Sequence, residues 1–329
     1  GRLAEVDMHA IQTSGSCIRN ITSDQFAGVA TDEIADPRPW AELLRQWSTL
    51  HPEFNWLPRK FKIAITGAES DRAAIAVHDI GLRLRSDDAG LFFEVWVGGG
   101  LGRTPLIGVC INTRLEPKHL ITYLTAVLRV YNQFGRRDNK YKARIKILVK
   151  AMGKLDFAAA VNNAWQTLKD GPETINEDSI AQFAEHFSRP NYLTLTDQVP
   201  SDGIITTDQP FERWHAQNVL AHQQPGYAAV HISLKRKGVA PGDVSDRDLE
   251  ALADLADRYS FGEARVTHEQ NLVLADVEQT KLPELFQALG MHNLDRANRG
   301  LATDMICCPG GDYCSLANAK SIPVAAAIE

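Results

Sequence analysis

Cysteine is scarce in this chain of 329 residues, with only five, and two of them, Cys17 and Cys110, stand alone. Such usage does not make a disulfide framework. It fits a reducing compartment such as the cytoplasm. No apolar run is long enough to cross a bilayer, and no signal or transit segment opens the chain, which begins at Gly1 in what reads as mid-domain sequence. A large charge of either sign is missing too. The formal net charge of −6 gives no global reason to expect nucleic acid or an anionic membrane as partner, so any anion site is local. A dinucleotide fingerprint is also lacking, because Gly98-Gly99-Gly100-Leu101-Gly102 is not followed by the helix and acidic residue of such a site. With 44% hydrophobic and 23% charged residues, the composition predicts a soluble globular protein of two or more domains.

What is present is concentrated near the C-terminus. Three of the five cysteines fall in Cys307-Cys308-Pro309-Gly310-Gly311-Asp312-Tyr313-Cys314. Pro309, Gly310 and Gly311 let the backbone fold back so that Cys308 and Cys314 face one iron–sulfur cluster, with Cys307 a buried small hydrophobe. A four-iron cluster wants four thiolates, and this turn offers half of them. Two other readings stand beside it: a Cys308–Cys314 disulfide, and a zinc site, although neither CxxC knuckles nor a His pair accompanies the turn.

Hydrophobic periodicity predicts an α+β protein. Trp40, Leu43, Leu44, Trp47 and Leu50 repeat at helical spacing behind Pro37 and Pro39. Phe61, Ile63 and Ile65 alternate with Lys60, Lys62 and Ala64, a strand with one cationic face. Leu82 and Leu84, the turn Asp87-Asp88-Ala89-Gly90 and the run Leu91 to Val97 predict a hairpin ending in the glycine loop. Glu116-Pro117 starts a helix that Gly135 closes, and a helical pair is expected around residues 144 to 187. A new unit is expected near Val199. There Ala228, Val230, Ile232 and Leu234 alternate as a strand, Ser245 and Asp248 form a capping box, two strands flank His268-Glu269-Gln270, and Leu282 to Leu289 is helical. That order, β-α-β-β-α, is that of a ferredoxin-like half-unit.

Cations are unevenly distributed. Between Arg136 and Lys154, eight positive side chains face the single Asp138, with Tyr141 the one aromatic that would suit nucleic acid. On a helix, Arg144 and Lys146 lie at the margin of the stripe Ile145, Leu148, Val149 and Met152. Together with Arg19, Arg59, Lys60, Lys62 and Arg103 they could surround a polycarboxylate or a small dianion.

The segments Ser16-Cys17-Ile18-Arg19-Asn20-Ile21-Thr22, Leu57-Pro58-Arg59-Lys60-Phe61-Lys62, Val97 to Leu101, Thr267-His268-Glu269-Gln270-Asn271-Leu272 and Cys308 to Cys314 resemble, in this order, the siroheme sulfite and nitrite reductases. The resemblance spans nearly the whole chain. It implies a module made of a siroheme-binding half and a ferredoxin-like half. Residues 1–152 then correspond to a first siroheme-binding half, 153–198 to a helical connection, 199–290 to a ferredoxin-like half, and 291–329 to the start of a second siroheme and [4Fe-4S] half. It also implies that Arg19, Lys60 and Lys62 hold the anionic substrate and help supply protons. Siroheme carries eight carboxylates, and Arg59, Arg144, Lys146, Arg265, Gln270 and Asn271 are the candidates to receive it. Cys308 and Cys314 are the candidate cluster ligands.

Two features of the family pattern lie outside the sequence: a further substrate-binding Arg upstream of Arg19, and the CxxxC that supplies the other two cluster ligands. An internal stretch of a longer reductase is the expectation, unable to assemble the full cofactor site alone. The activity implied is six-electron reduction of sulfite to sulfide, with nitrite to ammonia as the alternative and with electrons from ferredoxin or a flavoprotein. No nucleic acid or membrane is expected as partner. A zinc-containing anion- or RNA-binding protein is the distant alternative.

Overall fold

The computed structural model describes residues 2–6, 8–102, 104–197 and 209–329. Arg103 and the expected start of the second unit at Val199 lie outside them. The chain divides into two compact units, one of residues 1–28 and 32–188, the other of residues 29–31 and 189–329.

The first unit is built on a five-stranded sheet in the order β1-β2-β3-β4-β5, with β1 Ile18–Thr22, β2 Phe61–Thr66, β3 Ile80–Asp87, β4 Gly90–Val97 and β5 Val109–Leu115. The β1/β2 and β2/β3 pairs are parallel and the last two antiparallel. Alternation in β2 sends Phe61, Ile63 and Ile65 into the main core while Lys62 faces solvent. The hairpin between β3 and β4 turns through Asp88 and Ala89, with the Ala89 N–H donating to Asp87 Oδ1 at 2.9 Å and Gly90 at φ +106°.

Helix α1 Arg38–Ser48 and helix α2 Leu120–Phe134 bury Trp40, Leu43, Leu44, Leu124 and Val127 against this sheet. Helix α2 is apolar on nearly every side, and α4 Lys154–Gln166 covers part of it through the Tyr123 hydroxyl, which donates to Asn162 Oδ1 at 3.1 Å. Between them, α3 Ile145–Met152 buries Ile145 and Val149, and α5 Glu177–His186 follows. The expected helical pair is therefore three helices. Gly153, at φ +83°, separates α3 from α4, and a single periodic stripe does not reveal that break.

The second unit has the sheet order β6-β7-β9-β8, all antiparallel, from β6 Val219–Ala221, β7 Tyr227–Ile232, β8 Ala264–Val266 and β9 Leu272–Glu278. Helix α6 Gln209–Asn218 precedes β6, and α7 Asp246–Tyr259 and α8 Leu282–Gly290 complete the core. Ser245 and Asp248 do form the reciprocal capping box. Strand β7 differs from its alternating pattern: all six residues are buried, including His231. The short strand β6, too brief to show a period, covers its free edge. Two further short helices, α9 Gly310–Tyr313 and α10 Ile322–Ile328, follow the core.

Candidate active site

Strands β1 and β2 bring the first set of predicted residues together. Asn20 pairs with Lys62 across the parallel ladder, next to an irregularity between Ile18 and Asn20 that places Arg19. The Arg19 guanidinium donates to the Gly15 carbonyl from Nε (3.0 Å) and Nη2 (2.9 Å). Arg59 and Lys60 precede β2 directly. Among the described residues the side chains of Arg59, Lys60 and Lys62 make no hydrogen bond or ion pair with an acidic group. The Lys60 ammonium is held below the ordinary lysine value, first by desolvation and then by repulsion from Arg19, Arg144, Lys62 and Arg59. Five cations thus lie within electrostatic reach of one another, three of them, Arg59, Lys60 and Lys62, with no acidic partner among the described residues.

The acid beside them is Asp79, which the sequence reading did not single out. It is fully buried and accepts from Arg144 Nε (2.9 Å) and Nη2 (2.7 Å) on Oδ1 and from the Lys62 N–H (3.0 Å) on Oδ2. Its only sequence signal is an acidic residue at the mouth of the apolar run that becomes β3.

Lys146 has a different environment from the other cations. It is 7% exposed, and its ammonium donates to the carbonyls of Leu101 (2.9 Å) and Thr104 (2.6 Å). Those bonds pin the glycine loop. A Cβ on Gly99 would lie 2.4 Å from the Ala76 carbonyl oxygen, so this glycine is required by protein backbone packed against it.

In the second unit Gln270 and Asn271 form a polar scaffold at the cysteine turn. Gln270 clasps the main chain of Cys307 with both ends of its amide: Nε2 donates to the Cys307 carbonyl and Oε1 accepts from the Cys307 N–H, each at 2.9 Å. Asn271 is buried and bonded at both ends of its amide, its Oδ1 accepting from the Leu234 N–H (2.9 Å) and Lys235 Nζ (3.1 Å), its Nδ2 donating to Asp304 Oδ1 (2.8 Å). Lys235, absent from the sequence reading, is 2% exposed and also donates to the carbonyls of Glu269 and Gln270. Lys146, Gln270 and Asn271 therefore have protein partners where a role in holding siroheme was expected. Arg265 pairs with Glu263, and its charge adds to the hydrogen bonds with His222 and Tyr192 that, against desolvation, hold the Asp276 carboxyl below its usual range.

Cys308 is exposed and Cys314 half-buried, while Cys307 is buried and its thiol pushed up by desolvation. The turn folds back as glycine allows: Gly310 sits at φ +59°, and the Gly311 N–H donates to the Ala319 carbonyl at 2.8 Å. Gln270, Cys307, Cys308 and Tyr313 line a cavity of about 250 Å³. No group of three or more His, Cys, Asp or Glu side chains able to hold a metal occurs among the described residues. As a donor set for a four-iron cluster, the turn supplies two thiolates. The unpaired cations fit a polycarboxylate macrocycle and an oxyanion. No helix among the described residues is long and apolar enough to cross a membrane.

Two family models match this chain, and the cysteine turn at residues 307–314 lies beyond both matched stretches. Residues 14–169 match the nitrite and sulphite reductase 4Fe-4S domain, and residues 222–292 match the nitrite/sulfite reductase ferredoxin-like half domain. A sulfite reductase [ferredoxin] of Mycolicibacterium paratuberculosis is 27% identical over 97% of this chain and 51% of its own length. A ferredoxin–nitrite reductase of Synechococcus elongatus is 26% identical over 100% of this chain and 59% of its own length. The solved structure of the Mycobacterium tuberculosis NirA protein superposes with a TM-score of 0.73 at 26% identity, covering 98% of this chain and 52% of that one. The chain spans about half the length of the relatives it matches. With both modules found in order along the two units, the chain belongs to the nitrite and sulfite reductase family.

Proposed function

We propose that this chain forms part of a sulfite reductase hemoprotein that reduces sulfite to sulfide at siroheme coupled to a [4Fe-4S] cluster, with ferredoxin as the electron donor. The observation that carries this reading is the convergence of Arg19, Arg59, Lys60, Lys62 and Arg144 beside one buried carboxylate. Cys308 and Cys314 would provide two of the four cluster thiolates. Arg59 and Arg144 would meet siroheme carboxylates, and Arg19, Lys60 and Lys62 the substrate oxyanion. When bound, the siroheme and cluster supply the electrons.

The chain's own residues supply charge and protons. Arg19, Lys60 and Lys62 neutralise the anion as it is desolvated, which favours cleavage of S–O bonds more than it favours the intact oxyanion. Lys60 is suited to deliver protons, because desolvation, and then its cationic neighbours, already push its ammonium toward releasing one. A cytoplasmic setting, and partners that include neither nucleic acid nor membrane, are part of the proposal and follow from unpaired cysteines and the local placement of charge.

Nitrite is the second reading, favoured by the Synechococcus relative's name and by a cage that accepts either oxyanion. In the cofactor-loaded full-length protein, replacing Lys60 and Lys62 together by Met is expected to lower kcat/KM by roughly a hundredfold or more, in line with removal of transition-state charge stabilisation. Unchanged turnover removes the cage from the mechanism. The kcat/KM ratio for sulfite over nitrite assigns the substrate.

A further inference from the structure

We propose that Asp79 is the positioning residue of the cationic site: one carboxylate oxygen fixes the Arg144 guanidinium and the other fixes the main chain at Lys62, setting the directions in which the cations face a bound anion. This rests on the reading of that cluster as an oxyanion site. Arg144 reaches Oδ1 with Nε at 2.9 Å and Nη2 at 2.7 Å, and the Lys62 N–H reaches Oδ2 at 3.0 Å. The Asp79 side chain has no exposed surface, so its two acceptor oxygens are shielded from water. Its carbonyl in turn accepts from the Gly98 N–H at 3.0 Å, which ties the same residue to the end of β4.

A counter-ion that served charge balance alone would be a handicap here. A carboxylate beside a cation cluster reduces its pull on an anion, and burial opposes its ionised form. The division of labour between its oxygens is what a neutral isostere cannot copy. Asparagine offers one acceptor and turns an NH2 toward whichever donor remains, Arg144 or the Lys62 amide. Charge balance and positioning therefore predict opposite signs for Asp79→Asn. The first predicts tighter anion binding, because a negative charge has gone. The second predicts weaker binding, because Arg144 and Lys62 lose their setting.

The test is calorimetric titration of sulfite into the purified, cofactor-loaded full-length protein and into its Asp79→Asn, Arg144→Gln and double variants. Positioning predicts binding about tenfold weaker in Asp79→Asn, with the double variant no weaker than Arg144→Gln alone, as expected for residues acting through one contact. Tighter or unchanged binding in Asp79→Asn overturns the proposal. Should that variant fail to fold by circular dichroism, Arg144→Lys decides. It keeps the charge without the guanidinium fork, so several-fold weaker binding supports positioning and equal affinity overturns it. If the unaltered protein binds sulfite no better than Lys60→Met/Lys62→Met, the oxyanion reading itself falls and this inference with it.

Discussion

Truncating Gln270 to alanine tests whether the cysteine turn is held from below. The amide makes two hydrogen bonds to the Cys307 main chain, each 2.9 Å long, in a part-buried setting. A net worth of about 1 kcal/mol per bond gives a loss of about 2 kcal/mol, and leaving the Cys307 N–H and carbonyl without partners brings the total to roughly 3 kcal/mol. Backbone strain offers an internal control. Gln270 sits at φ +59°, a left-handed conformation that costs a non-glycine residue about 1 kcal/mol. Gln270→Gly removes the same amide but relieves that strain, so it is expected to cost about 1 kcal/mol less than Gln270→Ala. Urea unfolding measures both values. Thiol labelling adds a local readout, because Cys307 is buried with its thiol pushed up by desolvation, and a loosened turn exposes it. An alanine variant within about 0.5 kcal/mol of the parent, with unchanged labelling of Cys307, would refute the clasp as a structural support.

Two further outcomes follow from single residues. Desolvation, with Asp36 and Asp24 adding to it against the Gly28 N–H and Arg38, lifts the Glu33 carboxyl to about 7. A carboxyl raised above its unfolded value contributes stability below about pH 4.5 that is lost as pH rises through about 7, so Glu33→Gln is expected to be more stable than the parent by about 3 kcal/mol at pH 8 and equal to it at pH 4. Thermal midpoints across that range check the crossover, and parallel curves would contradict it. At Gly99, an alanine Cβ would sit 2.4 Å from the Ala76 carbonyl oxygen and 2.7 Å from that of His78, both main-chain atoms, so Gly99→Ala is expected to cost about 3 kcal/mol or more. An alanine variant as stable as the parent in urea would mean that this approach is looser than it looks.

The elements that carry a clean period were legible in the sequence. Strand β2, the β3–β4 hairpin and the capped helix α7 all declare themselves by alternation, a turn tetrad or a cap. Strand β6 did not, since its three residues hold no period, and α3 and α4 merged because Gly153 interrupts one continuous apolar stripe. In the site, sequence order identified residue types but not their partners. Arg144 and Lys146 are two positions apart in one basic run, yet one faces Asp79, 65 positions upstream, and the other the carbonyls of a loop. Nothing local in the sequence separates those fates. Asp79 and Lys235 stayed hidden for the same reason: a lone charged residue in an apolar run gains its meaning from groups that only folding brings near.

The polar side chains of the family motifs divide by whether their hydrogen-bonding capacity is already used. Lys146, Gln270 and Asn271 bond protein atoms, with both ends of the Gln270 amide and all of the Asn271 contacts internal. Their removal should register chiefly as lost stability. Arg59, Lys60 and Lys62 stand apart, with no acidic partner among the described residues, and desolvation together with mutual repulsion depresses the Lys60 ammonium. Such an arrangement costs folding free energy, which Asp79, bonded to Arg144, offsets only in part. Bound negative charge would offset more of it. Saturating anion should therefore stabilise the protein by an amount that grows with its concentration relative to Kd, and Lys60→Met should lose part of that gain while becoming more stable without anion. A change of opposite sign in the two conditions is what separates a residue kept for binding from one kept for structure.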